Sequence, residues 1–233
     1  MFRSHQGEGP YTGVRQIFVR LSGCPLRCVY CDTPESWTRS KTWSVGEQIY
    51  ENPACVSEIL SIIESWSKEE EFHSVSFTGG EPLLQPDFLA ALAKGTQELG
   101  LKTYLDTSTI LPAAFEKVAA HFDYFALDYK LPSTPGVRTH KEDFTRNLAL
   151  AKGKRFVKIV TMANANLEEI SEAARIIARE DRTIPLIIQI ATQVNSDTQP
   201  PEEEFLLKAR KRVENEGLTA LVLPQQHILA GWK

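Results

Sequence analysis

The chain has 233 residues, of which 42% are hydrophobic and 24% are charged, and its net charge is −4. This composition supports a sizeable core and argues against disorder. The length fits a single larger α/β domain over residues 1–233, although length alone would also allow two domains. Basic residues are scattered, so no nucleic-acid partner is expected. No apolar run is long enough for a membrane helix and no apolar signal region opens the chain, which predicts no membrane partner and a cytoplasmic location.

Short apolar runs alternate along the chain with longer amphipathic stretches. The runs predict seven strands: Gln16–Leu21, Ser74–Phe77, Thr103–Asp106, Tyr124–Asp128, Phe156–Val160, Leu186–Ile190 and Ala220–Leu223. The stretches predict six helices: Cys55–Ser67, Pro86–Leu99, Pro112–His121, Lys141–Ala151, Leu167–Glu180 and Glu202–Glu216. Because most of the strands are apolar on both faces, the pattern predicts an α/β fold with parallel strands covered by helices, as a full or partial (β/α) barrel.

Polar or glycine-rich segments follow the first four predicted strands. They are Gly23-Cys24, Thr78-Gly79-Gly80-Glu81-Pro82, Asp106-Thr107-Ser108-Thr109 and Asp128-Tyr129-Lys130. Function in parallel α/β folds gathers at the carboxyl ends of the strands. The four segments therefore predict one shared site.

Three of the four cysteines lie in Cys24-Pro-Leu-Arg-Cys28-Val-Tyr-Cys31, directly after the first predicted strand. Soft thiolate ligands suit an iron–sulfur cluster. Three thiolates leave one iron of a cubane open, and S-adenosylmethionine can chelate that iron through its amino and carboxylate groups. Clustered cysteines in a protein that is not secreted more often bind metal than form disulfides.

Two alternatives for the cysteines were weighed. Structural zinc usually shows a second cysteine pair or histidine partners, and neither is near this motif. Cys55 is a candidate fourth ligand, but it lies 24 residues past Cys31, at the predicted start of a helix, and is interpreted as an ordinary thiol. A zinc- or cluster-binding module without catalysis stays an alternative function.

At these residues the sequence resembles the radical S-adenosylmethionine superfamily, whose signature is C-x3-C-x2-C with an aromatic residue, here Tyr30, before the third cysteine. Gly79-Gly80-Glu81-Pro82 is similar to the second signature of that superfamily. A narrower resemblance, to the 7-carboxy-7-deazaguanine synthase family, rests on His5-Gln6-Gly7-Glu8-Gly9, on the segment from Phe18 to Cys24, and on Cys31-Asp32-Thr33 with Ser36-Trp37.

The resemblance implies a modified, incomplete (β/α) barrel and a homodimer. It implies a carbon–nitrogen lyase of queuosine-type 7-deazapurine biosynthesis that contracts the ring of 6-carboxy-5,6,7,8-tetrahydropterin, giving 7-carboxy-7-deazaguanine and ammonia. The implied cofactors are a [4Fe–4S] cluster, S-adenosyl-L-methionine and Mg²⁺, and the implied electron donor is a flavodoxin or ferredoxin. The cofactors carry the reaction, so no protein side chain is expected to act as a nucleophile or general acid–base.

Site residues are carried over by the same resemblance. The metal-binding positions are Cys24, Cys28 and Cys31 for the cluster and Thr33 for Mg²⁺. The cofactor-binding positions are Tyr30, Asp32, Gly79, Gly80, Glu81, Asp106, Thr107, Asp128, Tyr129 and Lys130. The substrate-binding positions are His5, Gln6, Gly7, Arg20, Thr78, Gln226 and His227.

Several of these residues also have ordinary structural interpretations. Arg20 suits bidentate binding of a pterin carboxylate, or it is an outward surface charge, and Thr33 is a magnesium ligand or a turn cap before Pro34. Tyr30 stacks on an adenine or packs in the core, and His227 contacts the substrate or packs at the surface.

The sequence departs from the family where Leu105-Asp106-Thr107-Ser108-Thr109 replaces the usual Glu-Thr-Asn-Gly-Thr. Together with Asp128-Tyr129-Lys130, this segment is also similar to enzymes that activate glycyl-radical proteins. Such an activase is the alternative enzymatic function.

Overall fold

The computed structural model describes residues 1–137, 141–194 and 197–232, so positions 138–140, 195–196 and 233 of the predicted domain lie outside the described residues. The strands are β1 (Phe2–His5), β2 (Arg15–Leu21), β3 (Thr42–Val45), β4 (Gln48–Glu51), β5 (Ser74–Gly79), β6 (Thr103–Thr107), β7 (Tyr124–Asp128), β8 (Lys154–Thr161), β9 (Leu186–Ile190) and β10 (Ala220–Pro224). The α-helices are α1 (Val56–Glu69), α2 (Pro86–Glu98), α3 (Pro112–Val118), α4 (Lys141–Leu150), α5 (Leu167–Glu180), α6 (Glu203–Asn215) and α7 (Gln226–Ala230).

Eight of the strands form one sheet in the order β1-β2-β5-β6-β7-β8-β9-β10. From β2 to β10 every neighbouring pair is parallel, and β1 pairs antiparallel with β2. The predicted α/β class is confirmed, and the seven predicted strands and six predicted helices are present. The bounds of β7, β9 and α5 are those predicted, and the other ten elements have one or both ends shifted. The hydrogen-bonded order runs from β1 to β10 without closing on itself, as expected of an incomplete barrel.

Side chains along the parallel strands alternate between two faces with the period of two that a strand imposes. On β2, Ile17, Val19 and Leu21 are buried in the main apolar core, which also contains helix residues such as Leu92 of α2 and Phe115 of α3. The alternate positions, including Phe18 and Arg20, face the opposite side and line a cavity. The outer face therefore anchors the helices, and the inner face is left for function.

Besides the short helix α7, two features of the strands lie outside the sequence prediction, and both are short and lack a strong apolar run. The first, β1, pairs Phe2 with Phe18 and His5 with Arg15. The second is the hairpin of β3 and β4, which turns at Gly46, a residue with φ +60°. A glycine between two alternating segments is a hairpin signal that was available in the sequence.

The chain after β10 reaches back to the segment after β1. The backbone N–H of Gln226 donates to the carbonyl of Gly7 at 2.9 Å, and the rings of His5 and Trp232 are 5.1 Å apart. The two edges of the sheet are thus bridged at the mouth of the cavity. Within the described residues, no helix combines the length and the apolar character needed to cross a membrane.

Candidate active site

A cavity of about 570 Å³ opens at the carboxyl ends of the parallel strands. Loops from four neighbouring strands contribute to its wall, as the polar segments after those strands predict. The predicted residues that line it are His5, Gln6, Gly7, Arg20, Cys24, Cys28, Tyr30, Cys31, Asp32, Thr33, Thr78, Gly79, Gly80, Asp106, Thr107, Asp128, Lys130 and His227.

Three predicted site residues lie outside the cavity lining. The Glu81 carboxylate is fully buried and accepts hydrogen bonds from the Leu83 N–H (3.0 Å) and the Thr107 hydroxyl (2.7 Å), so it ties two loops together instead of facing the cavity. Tyr129 packs edge-on against Phe144 in the core, with ring centroids 4.7 Å apart.

The third is Gln226, whose neighbour Gln225 lines the cavity in its place. Gln225 is buried just before α7, and its side-chain amide donates to Glu8 at 3.0 Å and to Asp32 at 3.2 Å. Gln225 and not Gln226 is in the lining, and the sequence did not indicate this because α7, which orients the two side chains, was not predicted.

The cysteine motif forms a loop that backbone hydrogen bonds hold at its start and in its middle. The N–H of Cys24 donates to Trp37 O at 3.1 Å, and the N–H of Arg27 donates to Gly136 O at 2.9 Å. Cys24, Cys28 and Cys31 are free thiols, and all three line the same cavity. Cys55 is exposed at the N-terminus of α1, outside the cavity lining.

Gly79 and Gly80 bring bare backbone against this loop. A Cβ on Gly80 would lie 2.5 Å from Gly23 O and 2.8 Å from the Cβ of Cys24. At Gly79, where φ is +149°, a Cβ would lie 1.9 Å from Leu21 O. Only glycine allows this approach of the strand end to the cysteine loop.

A buried lysine lies at the floor of the cavity among three carboxylates. Lys158 of β8 forms an ion pair with Glu8, and its Nζ lies 3.3 Å from Asp106 and 3.9 Å from Asp128. Burial raises the pKa of Glu8, but the charge and hydrogen bond of Lys158 outweigh burial and lower that pKa to about 2. The pKa of Asp106 is raised, because burial dominates there. Lys158 therefore keeps an ionised carboxylate in the cavity.

A second buried pair joins Asp128 and Lys130, at 2.7 Å. The ammonium of Lys130 also lies 5.2 Å from the ring centroid of Tyr30, within cation–π range. The Oδ1 atom of Asp128 is buried without a hydrogen-bond partner among the described residues. A buried acceptor without a hydrogen-bond partner is consistent with a site that binds a polar ligand.

His227 of α7 also lines the cavity. Its Nε2 lies 2.9 Å from Asp32 Oδ2. Burial lowers the pKa of His227, but the hydrogen bond to Asp32 and the charge of Glu8 outweigh burial, so the net shift is upward. Ligand atoms of Glu8, Asp32 and His227 lie within 4.8 Å of one another, which makes this corner rich in metal-binding groups.

Aromatic side chains form the wall on the side of β1 and β2. The rings of Phe2 and Phe18 stack with centroids 5.0 Å apart, and the guanidinium of Arg20 lies 5.8 Å from the Phe2 ring centroid. Arg20 is exposed, so it lies at the mouth of the cavity. Apolar faces and a cation at the mouth suit a flat ring that carries a carboxylate.

Sequence analysis missed four residues of this site. Glu8 and Trp37 are within the quoted motifs but were given no role. The prediction named Gln226 and not its neighbour Gln225. It did not include Lys158, which lies inside an apolar strand. A lysine at an inward-facing position near the carboxyl end of a buried strand was the available signal, because such a charge is rarely buried without partners.

Comparison with known proteins gives a consistent result. The radical SAM superfamily matches residues 18–177 of the chain. A 7-carboxy-7-deazaguanine synthase from Geobacter sulfurreducens is 34% identical over 99% of this chain and 95% of its own length. The enzyme of the same name from Methanothermobacter thermautotrophicus is also 34% identical, with the same two coverages.

Solved structures with low sequence identity share the fold. A radical SAM methyltransferase from Sphaerobacter thermophilus has a TM-score of 0.61 at 14% identity, covering 93% of this chain and 67% of that chain. A domain of a pyruvate-formate lyase-activating enzyme from Bacteroides vulgatus has a TM-score of 0.52 at 23% identity, covering 64% of this chain and 98% of that chain.

Proposed function

Because the chain belongs to the 7-carboxy-7-deazaguanine synthase family of the radical S-adenosylmethionine superfamily, we propose that it converts 6-carboxy-5,6,7,8-tetrahydropterin to 7-carboxy-7-deazaguanine with loss of ammonia. It is a carbon–nitrogen lyase of queuosine-type 7-deazapurine biosynthesis, with a [4Fe–4S] cluster and S-adenosylmethionine as cofactors. The observation that carries the proposal is that three cysteines and the residues expected to bind the substrate line one cavity.

Cys24, Cys28 and Cys31 are the proposed cluster ligands. Their thiols are free and line one cavity, and Cys55 is not part of its lining. Three thiolates suit a cubane that keeps one iron for another ligand. When bound, the cluster and S-adenosylmethionine supply the radical chemistry, and the protein supplies position and exclusion of water.

The proposed cofactor side runs from the bare backbone of Gly79 and Gly80 to the ends of β6 and β7. Asp106, Thr107 and Asp128 line this part of the cavity, and Asp128 keeps a buried oxygen free for a donor. Lys130 supplies a cation for a carboxylate, while Tyr30 and Asp32 flank the cluster. Glu81 does not contact the cofactor in this proposal. It holds Thr107 and Leu83 in position through hydrogen bonds.

The proposed substrate side lies between β1, β2 and the segment around α7. Arg20 at the mouth binds the pterin carboxylate, and Thr78 adds a hydroxyl from β5. His5, Gln6 and Gly7 present polar groups to the amide-like edge of the ring. His227 and the ionised Glu8 complete this wall, which gives the pterin an acceptor held in place by Lys158.

Mg²⁺ is proposed to bind at Thr33. The Thr33 hydroxyl lines the cavity beside Asp32, and Mg²⁺ prefers oxygen ligands while keeping several waters. A bound Mg²⁺ orients and polarises the substrate.

We also propose that the chain folds as a single domain, forms a homodimer in the cytoplasm, and receives its electron from a flavodoxin or ferredoxin.

Anaerobic turnover tests the function. Reconstituted protein with S-adenosylmethionine, Mg²⁺, a reductant and the carboxypterin is expected to form 7-carboxy-7-deazaguanine, detected by its mass, with Cys28→Ala as the inactive control. Formation of 5′-deoxyadenosine only in the presence of a glycyl-radical protein, with no contracted product, would overturn the proposal in favour of an activase.

A further inference from the structure

The indole of Trp37 donates a hydrogen bond to a cysteine of the cluster motif. Its Nε1 lies 3.2 Å from the sulfur of Cys31. Indole nitrogen is a donor only, so the direction of this bond is fixed. Trp37 lies at the end of a 3-10 turn (Pro34–Trp37) and lines the cavity.

The indole is held in place from both sides. The backbone carbonyl of Trp37 accepts a hydrogen bond from the N–H of Cys24 at 3.1 Å, which joins the turn to the start of the cysteine motif. The guanidinium of Arg27 lies 5.3 Å from the Trp37 ring centroid and donates to the carbonyl of Cys24 at 2.7 Å. Trp37 is therefore a fixed part of the loop, because Cys24 binds its backbone carbonyl, Arg27 covers its ring and Cys31 accepts its indole N–H.

A donor to a ligand sulfur changes how easily an iron–sulfur cluster accepts an electron. One-electron reduction adds one negative charge, and part of that charge resides on the cysteine sulfurs. An N–H group directed at such a sulfur stabilises the added charge, so the reduction potential rises. The Thr33 hydroxyl, 3.9 Å from the same sulfur, is too distant to have the same effect.

We propose that Trp37 is a positioning residue for the cluster, whose indole N–H bond to Cys31 raises the reduction potential of the bound [4Fe–4S] cluster. This inference rests on the proposed role of Cys31 as a cluster ligand, but it does not depend on the identity of the substrate. In the absence of the bond, a given electron donor reduces a smaller fraction of the enzyme.

The test is the midpoint potential of the reconstituted cluster, measured anaerobically by a redox titration followed by EPR, without substrate. Trp37→Phe removes the N–H and keeps an aromatic ring, and its potential is expected to be more negative than that of the wild type. Trp66→Phe is the matched control, because the Trp66 ring on α1 is also covered by a guanidinium, that of Arg3 at 5.1 Å.

A potential for Trp37→Phe equal to that of the wild type, or an equal shift in Trp66→Phe, overturns the inference. If Trp37→Phe fails to hold a cluster, replacing Trp37 with 3-benzothienylalanine keeps the two-ring shape and removes only the N–H. Failure of this variant to hold a cluster also overturns the tuning role. A wild-type cluster that forms but yields no contracted pterin product refutes the proposed substrate alone.

Discussion

Lys158 determines the charge of the cavity floor, because it is the cation that Glu8, Asp106 and Asp128 share. Its side chain is 8% exposed, and that of Glu8 is 15% exposed. Burial lowers the pKa of Lys158, but the surrounding carboxylates outweigh burial and raise that pKa well above the ordinary value. The lysine stays charged, and its main effect is to keep Glu8 ionised.

Replacing Lys158 should therefore destabilise the fold. Lys158→Met leaves buried carboxylates without their counter-charge, and we expect the free energy of unfolding to fall by about 3 kcal/mol, the scale of a broken buried ion pair. Urea unfolding measures this loss. Lys154→Met, an exposed position on the same strand, is the control and should lose under about 1 kcal/mol. Equal losses for the two variants would show that the buried network contributes nothing.

At the scale of elements, the end of β5 supports the cysteine loop through backbone contact. Gly80→Ala places a methyl group 2.5 Å from Gly23 O and 2.7 Å from Ser36 O, so the loop has to move. We expect this variant to bind less than about half of the wild-type iron after reconstitution, since overpacking against backbone forces shifts. A colorimetric iron assay per chain measures it.

Gly95→Ala is the control for that variant. Its added methyl group meets Leu60 Cδ1, the end of a flexible side chain between α1 and α2, away from the cysteines. This variant should keep the wild-type iron content. Full iron binding by Gly80→Ala would contradict the proposed support of the loop by β5.

The start of α7 brings His227 to Asp32, and this contact makes stability depend on pH. The pKa of His227 is above 6.5 in the folded protein, so its contribution is fully present below about pH 6.5 and is lost as pH rises through the folded pKa. The free energy of unfolding should therefore fall as the pH rises above 6.5, and His227→Gln should reduce that fall. Unfolding curves at several pH values measure the difference.

His73→Gln provides the comparison for this pH dependence. Burial lowers the pKa of His73, so its ionisation affects the free energy of unfolding mainly below the ordinary value of 6.5. Its replacement should leave the fall in stability above pH 7 unchanged. If His227→Gln and His73→Gln behave alike, the Asp32 contact is not the cause.

At the scale of the whole molecule, regular patterns predicted the fold better than the site. The apolar runs of the strands, together with the start and stop signals of the helices, predicted the parallel sheet. These patterns could be recognised because each is a local property of the sequence. Within the cavity lining, the cysteine motif was predicted from its spacing and Gly80 from the family resemblance. Lys158 and Gln225 were not found, because their roles depend on partners such as Glu8 and Asp32 that are remote in sequence and meet only in the folded sheet.

Those remote partners meet because consecutive parallel strands carry their following loops to one end of the sheet. The cluster motif after β2 and the lysine on β8 are 127 residues apart, counting from Cys31 to Lys158, and both line one cavity. We propose that this cavity holds a cluster with three protein thiolates and one iron that binds S-adenosylmethionine.

The most direct test is the EPR spectrum of the reduced cluster, recorded with and without S-adenosylmethionine in the wild type and in Cys55→Ala. We expect a spectrum that changes when S-adenosylmethionine is added, with the same change in Cys55→Ala. A spectrum that ignores S-adenosylmethionine, or a cluster that is lost when Cys55 is removed, would contradict the proposal.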